Sequence, residues 1–205
     1  ETGQPYVVRH VSSSATGGSV GATAESPFAD IGEAQSVAGD IIFVHAGTVL
    51  TDSLVLQPGQ RVLGEGTSHY VNVAEFGSML LPGATGGVDR PVIRGTAGDA
   101  VTLASDSELS GFVIEDAGGY GVVGRGVQNV LVSALDVRNS GLSGIFLQDV
   151  SGDATLRNVA VRNSAAAGIE VQGGNGAVAF EGENVVENAG GAGVLVHGAA
   201  GDVSF

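Results

Sequence analysis

The amino-acid sequence predicts an all-β solenoid, and three observations support this fold class. Segments that begin at Phe112, Leu135, Val159 and Asn184 resemble one another and are spaced by 23, 24 and 25 residues. A nearly constant period of this length is typical of solenoid proteins. Glycine supplies 35 of the 205 residues, whereas only 5% are aromatic and 15% are charged. This composition favours short strands joined by tight turns over helical bundles.

The repeat holds at several columns at once. Apolar residues that share a column are expected to stack inside the solenoid, one column through Ile114 and its equivalents and one through Phe112 and its equivalents. Asn184 interrupts the second column, and one extra residue between Phe180 and Val185 predicts a bulge. The members of these columns and the recurring glycine steps are Ile114, Val137, Val161 and Val186; Phe112, Leu135 and Val159; Gly121-Val122, Gly144-Ile145, Gly168-Ile169 and Gly193-Val194.

Before the repeat, the chain predicts a strand at Tyr6–Val8, a loop over residues 12–26 and then a helix. Ser26 is a favourable helix cap, and Pro27 suits the first helical position, where its missing N–H costs nothing. Apolar residues follow at helical spacing, which predicts one buried face that ends before Gly39-Asp40. Those residues are Phe28, Ile31, Ala34, Val37 and Ala38.

The next strands are expected at Ile41–Val44, Leu54–Leu56 and Arg61–Gly66. Residues 67–89 then form an excursion that is too long for an ordinary turn between coils. Long excursions of this kind are often functional because they build a wall beside one face. The chain returns to the solenoid at residues 90–95.

These elements predict one domain over residues 4–205, with residues 1–3 an addition from a secretory expression vector. The last strand begins near Val203, so we expect the C-terminal end of the solenoid to be uncapped and open to another chain or to further repeats. The predicted parts are the cap and first strand at 4–48, the early coils at 49–107 with the excursion 67–89, and the regular coils at 108–205.

The N-terminal motifs resemble the opening of bacterial right-handed parallel β-helix proteins of the pectate-lyase-like superfamily. The resemblance rests on Tyr6-Val7, on residues 26–34 and on residues 38–48. It implies a single-stranded right-handed parallel β-helix with a short N-terminal capping α-helix. The superfamily contains lyases, hydrolases, epimerases, adhesins and modules without known catalysis, so the resemblance leaves the activity open.

Charge and composition restrict the partners. The formal net charge is −14 and lysine is absent, which argues against nucleic acid because phosphate contacts need basic stripes. A polyanion would also be repelled unless cations or local arginines intervene. The chain has no cysteine and no apolar run long enough to cross a bilayer, so we expect neither thiol catalysis nor membrane insertion. A secreted or bacterial cell-surface location is expected.

Two polar columns cross the regular coils. The side chains of Asp116, Asn139, Asn163 and Asn188 are expected to form a structural ladder at one turn, since asparagine tolerates the left-handed conformation. The preceding column places Arg138 beside Arg162, flanked by Glu115 and Glu187, which predicts the pairs Glu115–Arg138 and Arg162–Glu187. Two adjacent arginines can also hold a carboxylate or sulfate of a polysaccharide.

Arg90 and Arg94 are the candidate catalytic residues if the chain is an enzyme. Arg90-Pro-Val-Ile-Arg94 is similar, with one residue fewer, to the R-x-P-x-x-R stretch of pectate lyases, in which an arginine abstracts the proton α to a uronate carboxyl. Such a lyase or epimerase would also need acidic ligands for Ca²⁺. The carboxylates are scattered, and Glu181-Gly-Glu183 offers only a weak candidate site on one side of a strand.

In the excursion, His69 and Tyr70 are candidates for stacking on sugar rings, and Glu75 and Asp89 are further ligand candidates. The four histidines share no metal-ligand spacing. We therefore expect His45 to be a turn residue and His197 an outward-facing one.

The sequence favours a structural or binding module that presents an extended surface to carbohydrate or to a cell-surface partner, without a required cofactor. One alternative is a polysaccharide lyase or epimerase that acts on uronate polymers. A second alternative is an assembly or adhesin segment that docks through the open end of the solenoid.

Overall fold

The fold is a parallel β-helix, seen in a computed structural model that describes residues 6–15, 20–36, 40–81 and 89–205. Successive coils add one strand to each of three parallel sheets, as the repeat predicts. The first sheet contains β1 (Val8–Val11), β2 (Ile41–Val44), β5 (Arg61–Gly64), β10 (Glu108–Ser110), β13 (Val130–Ser133), β16 (Ala154–Arg157), β19 (Val178–Glu181) and β22 (Val203–Ser204).

The other two sheets complete the coils. The second sheet contains β3 (Val49–Leu50), β8 (Val92–Arg94), β11 (Val113–Glu115), β14 (Asp136–Arg138), β17 (Ala160–Arg162) and β20 (Val185–Glu187). The third sheet contains β4 (Leu54–Val55), β9 (Val101–Thr102), β12 (Val122–Arg125), β15 (Ile145–Gln148), β18 (Ile169–Gln172) and β21 (Val194–His197). Three predictions fall partly or wholly outside the described residues: the vector-derived addition at 1–3, the end of the helix at 37–39 and the end of the excursion at 82–88.

The core runs through the middle of the coils, and its columns follow the predicted register. Ile114 pairs with Val137, Val137 with Val161, and Val161 with Val186 along the second sheet. The first three of these side chains are completely buried. Each coil therefore covers the apolar face of the one before it, which is the main source of stability in a solenoid.

The recurring glycines are required by this core. A Cβ atom on Gly144 would lie 2.2 Å from Cγ1 of Val161, and one on Gly168 would lie 2.2 Å from Cγ1 of Val186. The inward valines of the second sheet thus occupy the space that any larger residue at the start of a third-sheet strand would need.

The predicted bulge lies in a turn. Gly182 has a φ of +69° and follows the end of β19, so the extra residue lengthens the corner between β19 and β20. Oδ1 of Asn184 accepts a hydrogen bond of 3.0 Å from the backbone N–H of Val159. The asparagine side chain thereby takes the place of a backbone acceptor of the longer coil.

The prediction of an N-terminal capping helix that begins at Ser26-Pro27 is wrong. The described residues contain a single short helix, α1 (Ile31–Gln35), with Asp30 as its N-cap. Ser26 and Pro27 cannot begin a helix because the chain beside them is extended along β1: the N–H of Phe28 donates to His10, and its carbonyl accepts from Ser12. Ile31 and Ala34 of α1 are buried in the main core.

The excursion after β5 folds back over the first sheet. It forms an antiparallel hairpin of β6 (Tyr70–Val73) and β7 (Gly77–Leu80). Val71 and Leu81 cover the outward side chains of Ile41, Phe43 and Leu63, and together they form a second hydrophobic cluster separate from the main core. The described part of the excursion therefore has a structural role as the cover of an otherwise exposed apolar face.

Candidate functional site

The outer face of the third sheet holds the candidate site. Alternate residues of each strand point away from the core, and the strands are paired in register from β12 to β21. Two outward columns result, which share a mixture of apolar, amide and charged side chains. They are Val123, Phe146, Glu170 and Leu195, and Arg125, Gln148, Gln172 and His197.

One end of this face is an aromatic pair covered by an arginine. The rings of Tyr120 and Phe146 stack with centroids 4.7 Å apart and planes 18° apart. Cζ of Arg125 lies 5.4 Å from the centroid of Tyr120 and 5.3 Å from that of Phe146, within the range of cation–π attraction. Phe146 is buried by these neighbours although it points outward, whereas the Arg125 side chain keeps 49% of its surface exposed.

Asp99 positions this cluster. Its Oδ1 accepts a hydrogen bond of 2.9 Å from the backbone N–H of Tyr120, which holds the segment that carries the ring just before β12. Its Oδ2 lies 3.8 Å from Nη1 of Arg125, too far for a direct hydrogen bond. The guanidinium group is thus oriented by a nearby carboxylate and by two rings, and the Asp99 pairing leaves its donors largely available to a ligand.

The other end of the face is polar. Nε2 of Gln148 lies 3.5 Å from Oε1 of Gln172, so the amides of consecutive coils follow one another. The carboxylate of Glu170 accepts a hydrogen bond of 2.7 Å from the hydroxyl of Ser143, and its other oxygen lies 3.4 Å from Nε2 of His197. The face as a whole offers planar donors and acceptors beside an aromatic surface, which is chemistry suited to sugar hydroxyls and rings.

The predicted anion site at Arg138 and Arg162 is occupied by the protein's own carboxylates. Asp136 lies between the two guanidinium groups, bonded to Arg138 and 2.8 Å from Nη1 of Arg162. Arg162 also pairs with Glu187 at 2.9 Å, as predicted, but Glu115 pairs with Arg94 at 2.5 Å in place of the predicted partner Arg138. Burial opposes the charge on Asp136, but the two arginines outweigh it and hold the pKa of this carboxyl below its ordinary value.

The residues predicted in the excursion do not form one site. His69 is only 3% exposed, and its Nε2 lies 2.6 Å from the carbonyl oxygen of Gly64, so its ring cannot face a sugar beside Tyr70. Tyr70 is exposed on β6, and Glu75 lies in the hairpin turn with a φ of +71°. Asp89 is exposed at the edge of the described chain. A ligand role for Tyr70, Glu75 and Asp89 stays a prediction.

The predicted catalytic and metal residues are also engaged elsewhere. Arg94 is held by the carboxylate of Glu115, and the side chain of Arg90 packs against Gly66. Glu181 ends β19 and pairs with Arg157, whereas Glu183 lies beyond the turn at Gly182. The prediction that both glutamates share one side of a strand is therefore wrong. Among the described residues, no group of three or more histidine or carboxylate side chains could hold a metal ion.

The turn column forms a side-chain ladder. Nδ2 of Asn139 donates to Asp116 at 2.9 Å, Nδ2 of Asn163 donates to Asn139 at 3.1 Å, and Nδ2 of Asn188 donates to Asn163 at 3.2 Å. All four residues have φ between +54° and +59°. These side chains hydrogen-bond one another and therefore have a structural role, as predicted.

Sequence reasoning missed both the third-sheet face and a histidine cluster at the N-terminal end. The face was detectable, because the alternation in Ile145-Phe-Leu-Gln148 places Phe146 and Gln148 outward when Ile145 points inward. The cluster of His10, His45 and Glu65 depends on the register of β1 against β2 and of β2 against β5. No spacing in the sequence gives that register.

In the described part of the chain, no helix is long and apolar enough to span a bilayer. No curated protein is significantly similar to this sequence. Among solved structures, the chain is similar to the tailspike protein gp49 of Acinetobacter baumannii bacteriophage Fri1, a capsular polysaccharide depolymerase, at 8% identity and a TM-score of 0.36. The match covers 94% of this chain and 48% of the tailspike chain. The family described as a right-handed β-helix region matches residues 88–205, which is more than half of the sequence, so this chain belongs to the right-handed β-helix family.

Proposed function

We propose that this chain is a polysaccharide-binding β-helix module and that the outer face of the third sheet, from β12 to β21, is its binding face. The observation that carries the proposal is the position of Arg125. Its guanidinium covers the Tyr120–Phe146 pair, remains half exposed, and is followed in register by the amides of Gln148 and Gln172.

The arrangement suits a polymer of sugars for a physical reason. Adjacent strands of a sheet lie about 4.8 Å apart, so the face repeats its polar groups at a fixed interval along the solenoid. The side chains project from strands that are buried on their inner side, which limits the entropy lost when a ligand binds. An extended glycan can therefore meet several such groups at once.

Arg125 also suits a sugar that carries a carboxylate. Arg61, Arg94, Arg138, Arg157 and Arg162 all have a carboxylate oxygen within 2.9 Å. The Asp99 oxygen nearest to Arg125 is 3.8 Å away. A uronate carboxylate could form the bidentate hydrogen bonds that Asp99 does not form. Extracellular polysaccharide is the natural source of such a ligand, which supports the proposal of a secreted or surface-displayed protein.

Isothermal titration calorimetry with oligosaccharides of galacturonate, of mannuronate and of glucose tests the proposal. Arg125→Gln should weaken the binding of a uronate oligosaccharide at least about tenfold, since a charge-assisted pair is lost. Arg157→Gln is the matched control, because Arg157 has the same exposed fraction of 49% on the first sheet. Equal weakening by both substitutions, or absence of binding to all three ligands, would overturn the proposal.

The same polymers distinguish a binding module from a lyase. Incubation with galacturonate and mannuronate polymers, with and without Ca²⁺, should yield no unsaturated product. Product formation that is abolished by a chelator and by Arg94→Ala would replace the binding module with an enzyme.

A further inference from the structure

A chain of three titratable side chains connects the first strands of the solenoid. Nδ1 of His10, on β1, lies 3.1 Å from Nε2 of His45, at the end of β2. Nδ1 of His45 lies 3.3 Å from Oε2 of Glu65, which follows β5. The two imidazole rings are also stacked, with centroids 5.2 Å apart and planes 19° apart. Three neighbouring strands of the first sheet, β1, β2 and β5, are thus joined at one end by side chains whose hydrogen bonds depend on protonation.

His10 belongs to a segment that closes the N-terminal end of the β-helix. This N-terminal strap consists of β1 and residues 20–28. The backbone N–H of His10 donates to the carbonyl oxygen of Gly21 at 2.9 Å, and the backbone N–H of Phe28 donates to the carbonyl oxygen of His10 at 2.8 Å. The strap is also bonded to the chain after β2, because the backbone N–H of His45 donates to the carbonyl oxygen of Val11 at 2.9 Å. Release of β1 would therefore open the strap and the edge of β2 together.

The contact between the two rings needs a lone pair on at least one of its two nitrogens, Nδ1 of His10 or Nε2 of His45. Nδ1–H of His45 donates to the Glu65 carboxylate, which leaves a lone pair on Nε2 of His45 to accept from Nδ1–H of His10. One added proton is tolerated, because the ring that stays neutral can accept from the other, but protonation of both rings would place two N–H groups 3.1 Å apart and would break this contact. Two imidazolium rings stacked at 5.2 Å would also repel each other.

We propose that His10, His45 and Glu65 form a pH-sensitive latch, which holds the N-terminal strap on the first coil at neutral pH and releases it in mild acid. The latch is independent of the glycan-binding face. Its effect is local opening, because the main core continues through the regular coils beyond β10, where each strand is paired with the next.

The surrounding charges set the direction of the effect. Burial lowers the pKa of His10, and His45 lowers it further, whereas the carboxylates of Glu25 on the strap and Glu65 oppose the shift. A histidine whose pKa is lower in the folded state contributes full stability above its unfolded pKa, near 6.5, and loses it as the pH falls below that value. Burial likewise lowers the pKa of His69, whose ring meets Phe43 from the hairpin side at 6.3 Å. Both groups favour loosening of the N-terminal end in the same direction.

Amide hydrogen exchange of the full chain at pH 7.5 and pH 5.0, normalised to intrinsic exchange rates, tests the latch. If one histidine protonates only in the opened state, the protection of the His10, Ser12, Gly21 and Phe28 amides should fall by up to about thirtyfold between these pH values. Amides of β13 and β15 serve as internal references and should keep their protection.

Two variants separate the latch from general acid sensitivity. His10→Gln offers His45 an amide that can either donate or accept and that cannot titrate, so the contact is kept whichever protonation state His45 adopts, and the additional loss of strap protection at pH 5.0 should disappear. His197→Gln removes the histidine of the last described third-sheet strand and should leave the strap unchanged. Equal loss in the strap and in β13, or an unaltered pH response in His10→Gln, would overturn the latch.

An NMR titration of the wild-type histidine Cε1–H signals keeps the test decisive if His10→Gln fails to fold. His10 should titrate below pH 6.5. Titration at or above that value with the strap amides still protected would contradict the latch.

Discussion

The regular coils at 108–205 and the N-terminal region at 6–81 belong to the same parallel β-helix but are stabilised by different kinds of contact. In the regular coils, the inward valines and the turn amides meet their own equivalents in the next coil. In the N-terminal region, a hairpin, a strap and a histidine chain meet residues that have no equivalent elsewhere. Stability is therefore distributed along the coils but depends on single contacts at the N-terminal end.

This contrast also separates structure from function within the coils. The second-sheet charges neutralise one another, and the turn amides bond one another. On the outer face of the third sheet, by contrast, Arg125 lies over an aromatic pair, and the nearest carboxylate oxygen among the described residues is 3.8 Å away. A half-exposed guanidinium beside an aromatic surface, without a carboxylate of the described chain in hydrogen-bond range, is thus the feature that indicates a ligand site.

The largest expected effect is in the second hydrophobic cluster. Phe43→Ala should cost about 3–5 kcal/mol of local stability, because a fully buried ring beneath the hairpin is removed. Phe76→Ala, in the exposed hairpin turn, is the control and should cost less than about 0.5 kcal/mol. Urea unfolding followed by residue-resolved hydrogen exchange should show that the loss of stability is confined to the N-terminal region. Equal destabilisation of β13 to β21 would contradict the separation of the two regions.

The asparagine ladder should give the next largest effect. Asn163→Ala removes two ladder hydrogen bonds and places alanine, which tolerates the left-handed conformation less well than asparagine, at a φ of +56°, for a combined cost of about 2–3 kcal/mol. Asn163→Gly loses the same hydrogen bonds but accommodates the conformation, so its cost should be smaller. Chemical denaturation of both variants measures the difference. Similar costs would show that conformation plays no part in the column.

The glycine column should show a smaller penalty of about 1–3 kcal/mol, the usual cost of overpacking. Gly144→Ala would drive its Cβ into Val161, whereas Gly98→Ala has open space around it. In thermal unfolding, Gly144→Ala should have a lower Tm than the wild-type protein, whereas Gly98→Ala should not. A Gly144→Ala protein as stable as Gly98→Ala would contradict the close approach between sheets.

The smallest effect concerns acid below the range of the histidine latch. Because the pKa of Asp136 is lowered in the folded state, its contribution is fully present above the unfolded value of 3.8 and is lost as the pH falls below it. The regular coils should therefore keep their stability at pH 5.0, and Asp136→Asn should flatten the decline below pH 4. Stability measured by denaturation across pH 3–7 checks the slope. An identical slope in the variant would count against the Asp136 ion pairs.

The sequence predicted what the repeat encodes and little of what interrupts it. The stacking of Val137 on Ile114 follows from spacing alone, since every coil repeats the same contact. The burial of His69 and the short helix at Ile31 could not be predicted this way, because both depend on which strand the chain meets after an irregular segment. Arg138 appeared available for a different reason: its partner Asp136 lies two residues away on the same outward side of the strand, a local contact that column alignment does not weigh.

The position of a bound glycan tests the functional account most directly. Amide chemical shifts of the full chain, recorded while a uronate oligosaccharide is added, should change at Tyr120 to Arg125, at Ile145 to Gln148 and at Ile169 to Gln172. The hairpin amides from Tyr70 to Leu80 and the second-sheet amides of β14 and β17 should not move. Perturbations confined to the hairpin or to the Arg138–Arg162 pair would place the ligand elsewhere and would contradict the assignment of the third-sheet face.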